Sequence, residues 1–250
     1  MNPEEIKSVT VAALDRLASH YRPASDPDAA VIALESWWID SYVQGPKILE
    51  LGCGDGTSTR MLLKHANVLH VVEGAADYCK MLRTAMPDPQ IVVNHCFYED
   101  YQPDEKFDDI VFVRSLDDVV DPIGLLNRIR TWLRPAGRLH IVVQNAESLH
   151  RRLGVALRLL STAQQLSEHS ISVAHRRVYT KALLQSHLTD AGFRIDIFEG
   201  YFLKPFDYAT LGRTDYDFST QLVPALFEVG KQIPTEFCCL FYVLCHAENA

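Results

Sequence analysis

Apolar residues along this chain alternate between two rhythms. Short apolar runs bounded by turn residues occur at 47–51, 68–72, 90–94, 108–113 and 138–143, and read as strands. Between them, 58–65, 76–85 and 122–133 carry apolar residues at helical spacing. Strand and helix alternating through short turns predict a parallel sheet covered on both faces. Ahead of this core, Ile6, Val9, Ala13, Leu14 and Leu17 form a helical stripe. A turn at Tyr21–Pro27 follows, and then a helix from about Asp28 to Tyr42 carrying Trp37 and Trp38. Two segments break the rhythm. Residues 146–179 hold a short helix (Ser148–Gly154) and then Ser- and His-rich polar sequence; residues 201–237 hold aromatics and a helical stretch near 219–229. Between them Thr180–Ala191 reads as an amphipathic helix that Gly192 ends, and Arg194–Phe198 and Cys238–Cys245 complete the sheet. The pattern predicts one domain over 1–250, with an N-terminal helical cap (1–44), a lid insertion (146–179) and a second insertion (201–237). Cap and lid follow from placement, because ligands of open α/β sheets lie at the carboxyl ends of the strands.

The segment with the most chemistry is Ile48-Leu49-Glu50-Leu51-Gly52-Cys53-Gly54-Asp55-Gly56-Thr57-Ser58, a strand running into a glycine turn and a helix start. Gly52, Gly54 and Gly56 permit backbone angles barred to other residues and let a ligand lie against the chain. Thr57 and Ser58 are suited to cap the following helix, whose first amides face the same ligand. The next strand ends in Glu73-Gly74, and a carboxylate about 20 residues after such a turn is placed to accept from ribose hydroxyls. The pairing points to an adenosine-bearing cofactor. A dinucleotide fingerprint, G-x-G-x-x-G, needs its third glycine at position 57, where this chain has Thr57. A pyrophosphate would also meet Glu50 and Asp55, with no basic side chain before Arg60. A cofactor with a positive sulfonium and an amino-acid tail suits this acidic loop better.

Glu50 followed by the glycines at 52, 54 and 56 resembles the first motif of the class I S-adenosylmethionine-dependent methyltransferases. The likeness extends over nearly the whole chain. Asp108–Leu116 is similar to the fourth-strand motif, with Asp121-Pro122 after it, and Leu133–Leu139 to the turn before the fifth strand. Gln144–Gly154 resembles a small-molecule subgroup signature, N-A-x-S-L-H-R, with Gln144 in place of Pro; His175–Tyr179 and Ala191-Gly192-Phe193 also fit. The resemblance implies a Rossmann-like, doubly wound, seven-stranded sheet, mostly parallel with an antiparallel last strand. It implies S-adenosylmethionine as cofactor. It places Glu50, Gly52, Gly54, Gly56, Glu73 and Gly74 around that cofactor, Cys96, Phe97 and Tyr98 beside the adenine, and Arg114, Ser115 and Leu116 along the methionine. Relatives carry Leu-Glu-His after the fourth strand and this chain has Leu116-Asp117-Asp118, so a base carried by that histidine does not transfer.

Methyl transfer from a sulfonium is an in-line displacement in which the protein aligns the acceptor and excludes water. Candidate catalytic residues are Asp118, His150 and His175; candidate substrate residues are Tyr21, Trp37, Asn145 and Tyr179. Of the adjacent acids, Asp118 is the one expected to face the acceptor. A carboxylate there suits an amine better than a hydroxyl, whose pKa it cannot match, so the reading inclines to nitrogen. O-methylation of a sugar or secondary metabolite is the alternative. A non-catalytic cofactor-binding protein of the same fold is the competing class, and a nicotinamide oxidoreductase a weaker third.

Composition bounds the rest. At 250 residues, 48% hydrophobic and 22% charged, the chain has material for a sizeable core. A net charge of −8, with basic pairs only at Arg151-Arg152 and Arg176-Arg177, argues against a nucleic-acid partner. The six cysteines include no C-x-x-C pair and read as buried thiols of a reducing, cytoplasmic compartment; no metal site is expected. No secretory signal or membrane span is read. The expected partner is a small molecule, and a homodimer stays open.

Overall fold

Strands β1 (Lys47–Leu51), β2 (Val68–Glu73), β3 (Ile91–His95), β4 (Phe107–Val113), β5 (Leu133–Gln144), β6 (Phe193–Tyr201) and β7 (Leu240–Ala247) form one sheet in the order β3-β2-β1-β4-β5-β7-β6. The computed structural model describes residues 27–172 and 175–248; the helix expected over 1–20, and Tyr21, lie outside them. The pairs β1–β2, β1–β4, β2–β3 and β4–β5 are parallel, and β7 inserts antiparallel between β5 and β6. Strand order therefore reverses at β1, which pairs β2 on one side and β4 on the other. The crevice at its carboxyl end is the ligand position of a doubly wound sheet.

Helices α1 (Pro27–Asp40), α2 (Thr57–Leu62), α3 (Ala76–Ala85), α4 (Pro122–Trp132), α5 (Leu149–Ala156), α6 (Glu168–Ser172), α7 (Lys181–Asp190), α8 (Tyr208–Leu211) and α9 (Val223–Gly230) surround the sheet. On one face Leu125, Leu126 and Ile129 of α4 and Leu184 and Leu188 of α7 join Leu49, Ile110, Phe112, Leu139 and Ile141 in one core cluster. On the other, Val31 and Ile39 of α1, Leu62 of α2, Tyr78 and Leu82 of α3 and Phe227 of α9 pack on Ile48, Val71 and Val111. Ile48 and Leu49, successive residues of β1, enter opposite clusters, as a strand buried on both faces requires.

Element boundaries shift where local geometry overrides the apolar pattern. β5 begins at Leu133 rather than 138, because Leu133 pairs Phe107 before the chain loops out over 134–137 and rejoins at Arg138 opposite Asp109. Ala136 takes φ 62° in that loop, a value suited to glycine. β6 runs on to Tyr201, bulging between Ile195 and Ile197. The stretch near 219–229 is a π-helical turn at Phe218–Leu222 leading into α9.

At the opposite end of the sheet from the crevice, Asp109 is fully buried and accepts from Arg138, from His140 Nε2 at 2.9 Å and from the Gln44 and Gly45 amides at 2.9 and 2.7 Å. Tyr242 completes the chain at His140 Nδ1, 3.0 Å away. Burial holds His140 below its ordinary pKa. The network fixes the chain as it enters β1 and stands apart from the crevice.

Candidate active site

The three glycines after β1 serve three purposes. Gly52 has φ 86°, and its amide donates to Val72 O at 2.8 Å. A Cβ there would stand 2.7 Å from the Tyr98 hydroxyl and 2.8 Å from Ser115 Oγ. At Gly54 (φ 48°) a Cβ would meet nothing within 4 Å, so this is where the backbone faces open space. Gly56 (φ 81°) caps α2, and a Cβ would press on Met86 Cε at 2.7 Å. Thr57 and Ser58 do not cap α2 as expected. The Asp55 carboxylate accepts from the Thr57 amide at 3.0 Å instead, and Ser58 Oγ is turned to Ser36 Oγ of α1 at 3.1 Å.

Glu73, at the end of β2, is 4% exposed. Its Oε2 accepts from the Cys53 amide at 3.1 Å and its Oε1 from the Ala75 amide at 2.7 Å, so the carboxylate is clamped against the turn. Burial is the main influence on it and raises its pKa, against the lowering effect of these amides. Gly74 offers its carbonyl to His95 Nε2 at 3.2 Å.

Glu50 lies beneath the turn rather than in it. It is 1% exposed, its Oε2 accepts from Thr59 Oγ1 at 2.6 Å, and its Oε1 has no partner. Burial, opposed by the Thr59 bond and reinforced by Glu73 and Asp55, pushes its pKa up to about 8. It is therefore largely neutral at pH 7 and does not supply the negative charge the sequence reading credited to it.

Beyond β3, Cys96 and Phe97 are half-buried. Tyr98 packs edge-on against Phe112 with ring centroids 5.2 Å apart, which sets its hydroxyl at Gly52. After β4, Ser115 Oγ donates to Val113 O at 3.1 Å on the same side. Leu116 is fully buried in the core, so its side chain does not line the crevice as expected. Arg114 takes φ 52°, strained for a residue other than glycine, and turns its guanidinium away to α1. Nε donates to Glu35 Oε1 at 2.9 Å and Nη1 to Asp28 Oδ1 at 3.0 Å, and Asp28 also accepts from the Tyr208 hydroxyl at 2.7 Å. Burial pushes Glu35 up to about 7 despite Arg114. Glu35 was missed from sequence. The available signal was its place between Val31 and Ile39, one helical turn from each on a buried stripe.

Several expected acceptor-side residues are structural. Asn145 is fully buried; its Nδ2 donates to Glu236 O at 3.0 Å and Cys238 O at 2.7 Å, and its Oδ1 accepts from the Glu147 amide at 2.7 Å. No substrate can displace these bonds cheaply. Tyr179 is fully buried in the core, with its ring edge-on to His187. Trp37 is 59% exposed on the outer face of α1, 5.3 Å from Lys231 Nζ, while Trp38 stacks inward on Tyr201. His150 pairs its Nδ1 with Ser148 Oγ at 3.1 Å, and burial followed by Lys204 and Arg151 pulls its pKa down to about 3. It stays neutral and is too weak a base to hold a proton at pH 7. Arg151 is 5% exposed and clasps the carbonyls of Ala163 and Gln165, so it staples the insertion instead of meeting an anion.

Asp118 and His175 do come together, with Oδ1 to Nε2 at 3.6 Å. Asp117 is fully buried, neither of its carboxylate oxygens has a well-formed hydrogen bond, and burial raises it to about 7. Neither acid caps α4. Asp121 does so, accepting from the Gly124 amide at 2.9 Å. Among the described residues no cluster of metal-ligating side chains occurs, and no helix is long and apolar enough to cross a membrane.

Sheet order, glycine turn and the Glu73 carboxylate define a Rossmann-like architecture with a nucleoside-type site at the carboxyl end of β1. Residues 14–196 match the methyltransferase domain family, and the chain belongs to it. Among solved structures it is similar to the protein bound to the Haloferax volcanii Trm112 methyltransferase activator, at 15% identity and TM-score 0.65, over 94% of this chain and 98% of that one. It is similar to DhpI, solved with S-adenosylhomocysteine, at 16% identity and TM-score 0.61 over the whole of both chains. The N-methyltransferase NodS from Bradyrhizobium japonicum WM9, also solved with S-adenosyl-L-homocysteine, matches at 14% identity and TM-score 0.61 over 96% of this chain and 99% of its own. At such identities the likeness establishes the fold. No curated protein matches in sequence.

Proposed function

We propose that this chain transfers a methyl group from S-adenosylmethionine to a small-molecule acceptor, an amine nitrogen in preference to a hydroxyl. The observation that carries the reading is the open face of the turn at Gly54 beside the clamped Glu73 carboxylate. The residues fit the cofactor. Glu73 Oε1 accepts from the Ala75 amide and Oε2 from the Cys53 amide and thiol, which holds the carboxylate at the turn where a ribose hydroxyl would meet it. Cys96 to Tyr98 flank the adenine position, and Gly52 and Ser115 border the amino-acid tail. When bound, the cofactor supplies an activated methyl on a positive sulfur. The chain's own part is to hold, orient and exclude water.

Support for nitrogen comes from the acids after β4. Asp118 brings a carboxyl group, not the histidine of relatives, to the loop after β4, and its ionised form complements an ammonium. The resemblance of Gln144–Gly154 to the small-molecule signature favours a small acceptor, which we place among α1, the 146–179 insertion and the 201–237 insertion. Titration calorimetry with S-adenosylhomocysteine and with NADH tests the donor. Binding of the former, weakened at least tenfold by Glu73→Ala, is expected. NADH binding without S-adenosylhomocysteine binding refutes the assignment. Labelled-methyl transfer to amines against alcohols tests the acceptor, and methylated oxygen in the product refutes the nitrogen preference.

A further inference from the structure

The loop that leaves β4 is held on both sides of Ser115, and the two holds differ in kind. After Ser115, the end of the 146–179 insertion takes up the loop's backbone. The Arg176 amide donates to Asp117 O at 3.0 Å and Arg176 Nε to Asp118 O at 2.9 Å. Arg177 Nη1 reaches Leu116 O at 3.2 Å and Val119 O at 2.5 Å. Beyond them the Tyr179 amide donates to Gln144 O at 3.2 Å, which staples the insertion to the end of β5. Before Ser115, the hold rests on one side chain. The Arg114 amide continues the sheet by donating to Val142 O at 2.8 Å, and the residue then takes φ 52°. A residue with a Cβ is strained there and stays only where its surroundings over-determine it.

Those surroundings come from the covers. Arg114 Nε and Nη2 meet Glu35 Oε1 of α1 at 2.9 and 2.8 Å, and Nη1 meets Asp28 Oδ1 at 3.0 Å. These are charge-assisted bonds in a largely enclosed place, and the Glu35 side chain is wholly buried. Asp28 Oδ1 also accepts from the Tyr208 hydroxyl of α8 at 2.7 Å, and Lys204 Nζ lies 3.8 Å from the centre of the Tyr208 ring. The second insertion therefore shares the hold with α1. Directly after Arg114 comes Ser115, whose Oγ, with the Tyr98 hydroxyl, crowds the position of a Cβ at Gly52.

Resting on the methyltransferase reading, we infer that Arg114 is a positioning residue: its ion pairs with Glu35 and Asp28 hold the strained backbone that sets Ser115 at the glycine turn, so that docking of α1 and of the second insertion tightens the cofactor site. The guanidinium points away from the crevice and acts through Ser115. Coupling of this kind is reciprocal. A cofactor seated against Gly52 and Ser115 favours the backbone that lets Arg114 reach Glu35 and Asp28, and so draws both covers down. The hold after Ser115 is made to backbone carbonyls and places no demand on the Arg114 dihedral. The adjustable link between covers and turn is thus the one that carries the strain.

Arg114→Ala and Arg114→Gly test the link as a pair. Both remove the ion pairs and both leave Glu35 and Asp28 without the guanidinium, but only glycine takes φ 52° freely. Calorimetry should show S-adenosylhomocysteine bound about tenfold more weakly by Arg114→Ala than by wild type, and about threefold or more tighter by Arg114→Gly than by Arg114→Ala. Hydrogen exchange reads the coupling. Saturating S-adenosylhomocysteine should slow exchange at 208–213 in wild type and leave it unchanged in Arg114→Gly. Tyr208→Phe keeps every charge, removes one hydrogen bond from Asp28 and decides the matter where the Arg114 variants do not fold; it should weaken S-adenosylhomocysteine by about threefold. Equal affinities of the alanine and glycine variants, ligand protection of 208–213 that persists in Arg114→Gly, or full affinity in Tyr208→Phe overturns the positioning role alone. Absence of S-adenosylhomocysteine binding to wild type overturns the methyltransferase reading instead.

Discussion

Replacing Glu50 by Gln separates two roles that a motif carboxylate can play. The side chain is 1% exposed, with one hydrogen bond from Thr59 Oγ1 and an unpartnered Oε1. Its pKa of about 8 in the fold, against an ordinary 4.5, is caused first by burial. The sign follows: the folded state keeps a proton that the unfolded chain releases, so the side chain's contribution is most favourable below the ordinary value. It is lost as pH rises toward the folded one. At pH 7 the loss is about 2.5 pKa units of work, ~3 kcal/mol. Glutamine is isosteric and never ionises; its carbonyl accepts the Thr59 bond, but its NH₂ lacks an acceptor where Oε1 stood, costing ~1 kcal/mol.

Glu50→Gln should therefore be more stable than wild type by ~2 kcal/mol at pH 7, which is ~4–8 °C in melting temperature for a chain of this size. The advantage should shrink by ~1.4 kcal/mol for each unit the pH falls, vanish near pH 5.5 and grow toward pH 8. Urea denaturation at pH 6, 7 and 8 measures it. Because the folded carboxyl is neutral, calorimetric affinity for S-adenosylmethionine and S-adenosylhomocysteine should change less than threefold. Two results refute the reasoning. One is an advantage that does not rise with pH. The other is a selective, tenfold loss of the sulfonium ligand, which would mean that Glu50 is ionised and faces its charge.

Gly52→Ala forces φ 86° on a residue with a Cβ, costing ~1–2 kcal/mol, and sets that Cβ 2.7 Å from the Tyr98 hydroxyl. Calorimetry should show S-adenosylhomocysteine affinity at least tenfold weaker, and wild-type affinity would refute the turn as drawn. Glu73→Ala strips acceptors from the Cys53 and Ala75 amides at ~1–3 kcal/mol each, so melting temperature should fall along with affinity. Unchanged stability would mean the amides find other partners. Asn145→Ala should destabilise by ~2–4 kcal/mol with acceptor KM unchanged, and a KM effect without destabilisation would restore it as a substrate residue. Amide exchange should be slow at 176–179, which is hydrogen-bonded to the β4 loop and β5, and fast at 157–167 until ligand binds; uniform exchange across the insertion would count against the stapled end.

The sheet was legible because its information is local. Ile48–Leu51, Val68–Glu73 and Phe107–Val113 are apolar runs that need no partner to be recognised, and the glycine turn declares itself by spacing. The antiparallel insertion of β7 was not in the periodicity and came with the family resemblance. The turn's electrostatics were misread. Position shows that Glu50 belongs to the motif, but only packing shows that it sits under the turn, bonded to Thr59, and so uncharged. The same limit governs Asn145. A polar residue within a signature looks like a ligand until its three bonds to Glu236, Cys238 and Glu147 are seen, two of them about ninety positions away.

The acceptor side was least legible for a physical reason. Its contacts are made between segments far apart in sequence, each ordinary by itself. Arg114 and Glu35 are 79 positions apart and Tyr208 and Asp28 180 apart, yet they form one buried network joining the end of β4 to α1 and the second insertion. The strained backbone of Arg114 is held by that network, since a φ of 52° persists only where surrounding contacts over-determine it. The loop leaving β4 is consequently gripped twice. At Arg114 the grip comes from the cap helix, and at Leu116–Val119 it comes from the arginines that end the first insertion. Ser115, whose Oγ stands at Gly52, lies between the two grips. Ser115 thus links both grips to the turn, which α1 also meets directly where Ser36 Oγ lies 3.1 Å from Ser58 Oγ of α2. The donor half of the site can thus be built from a single strand–turn–helix, whereas the acceptor half exists only once the chain has folded around it.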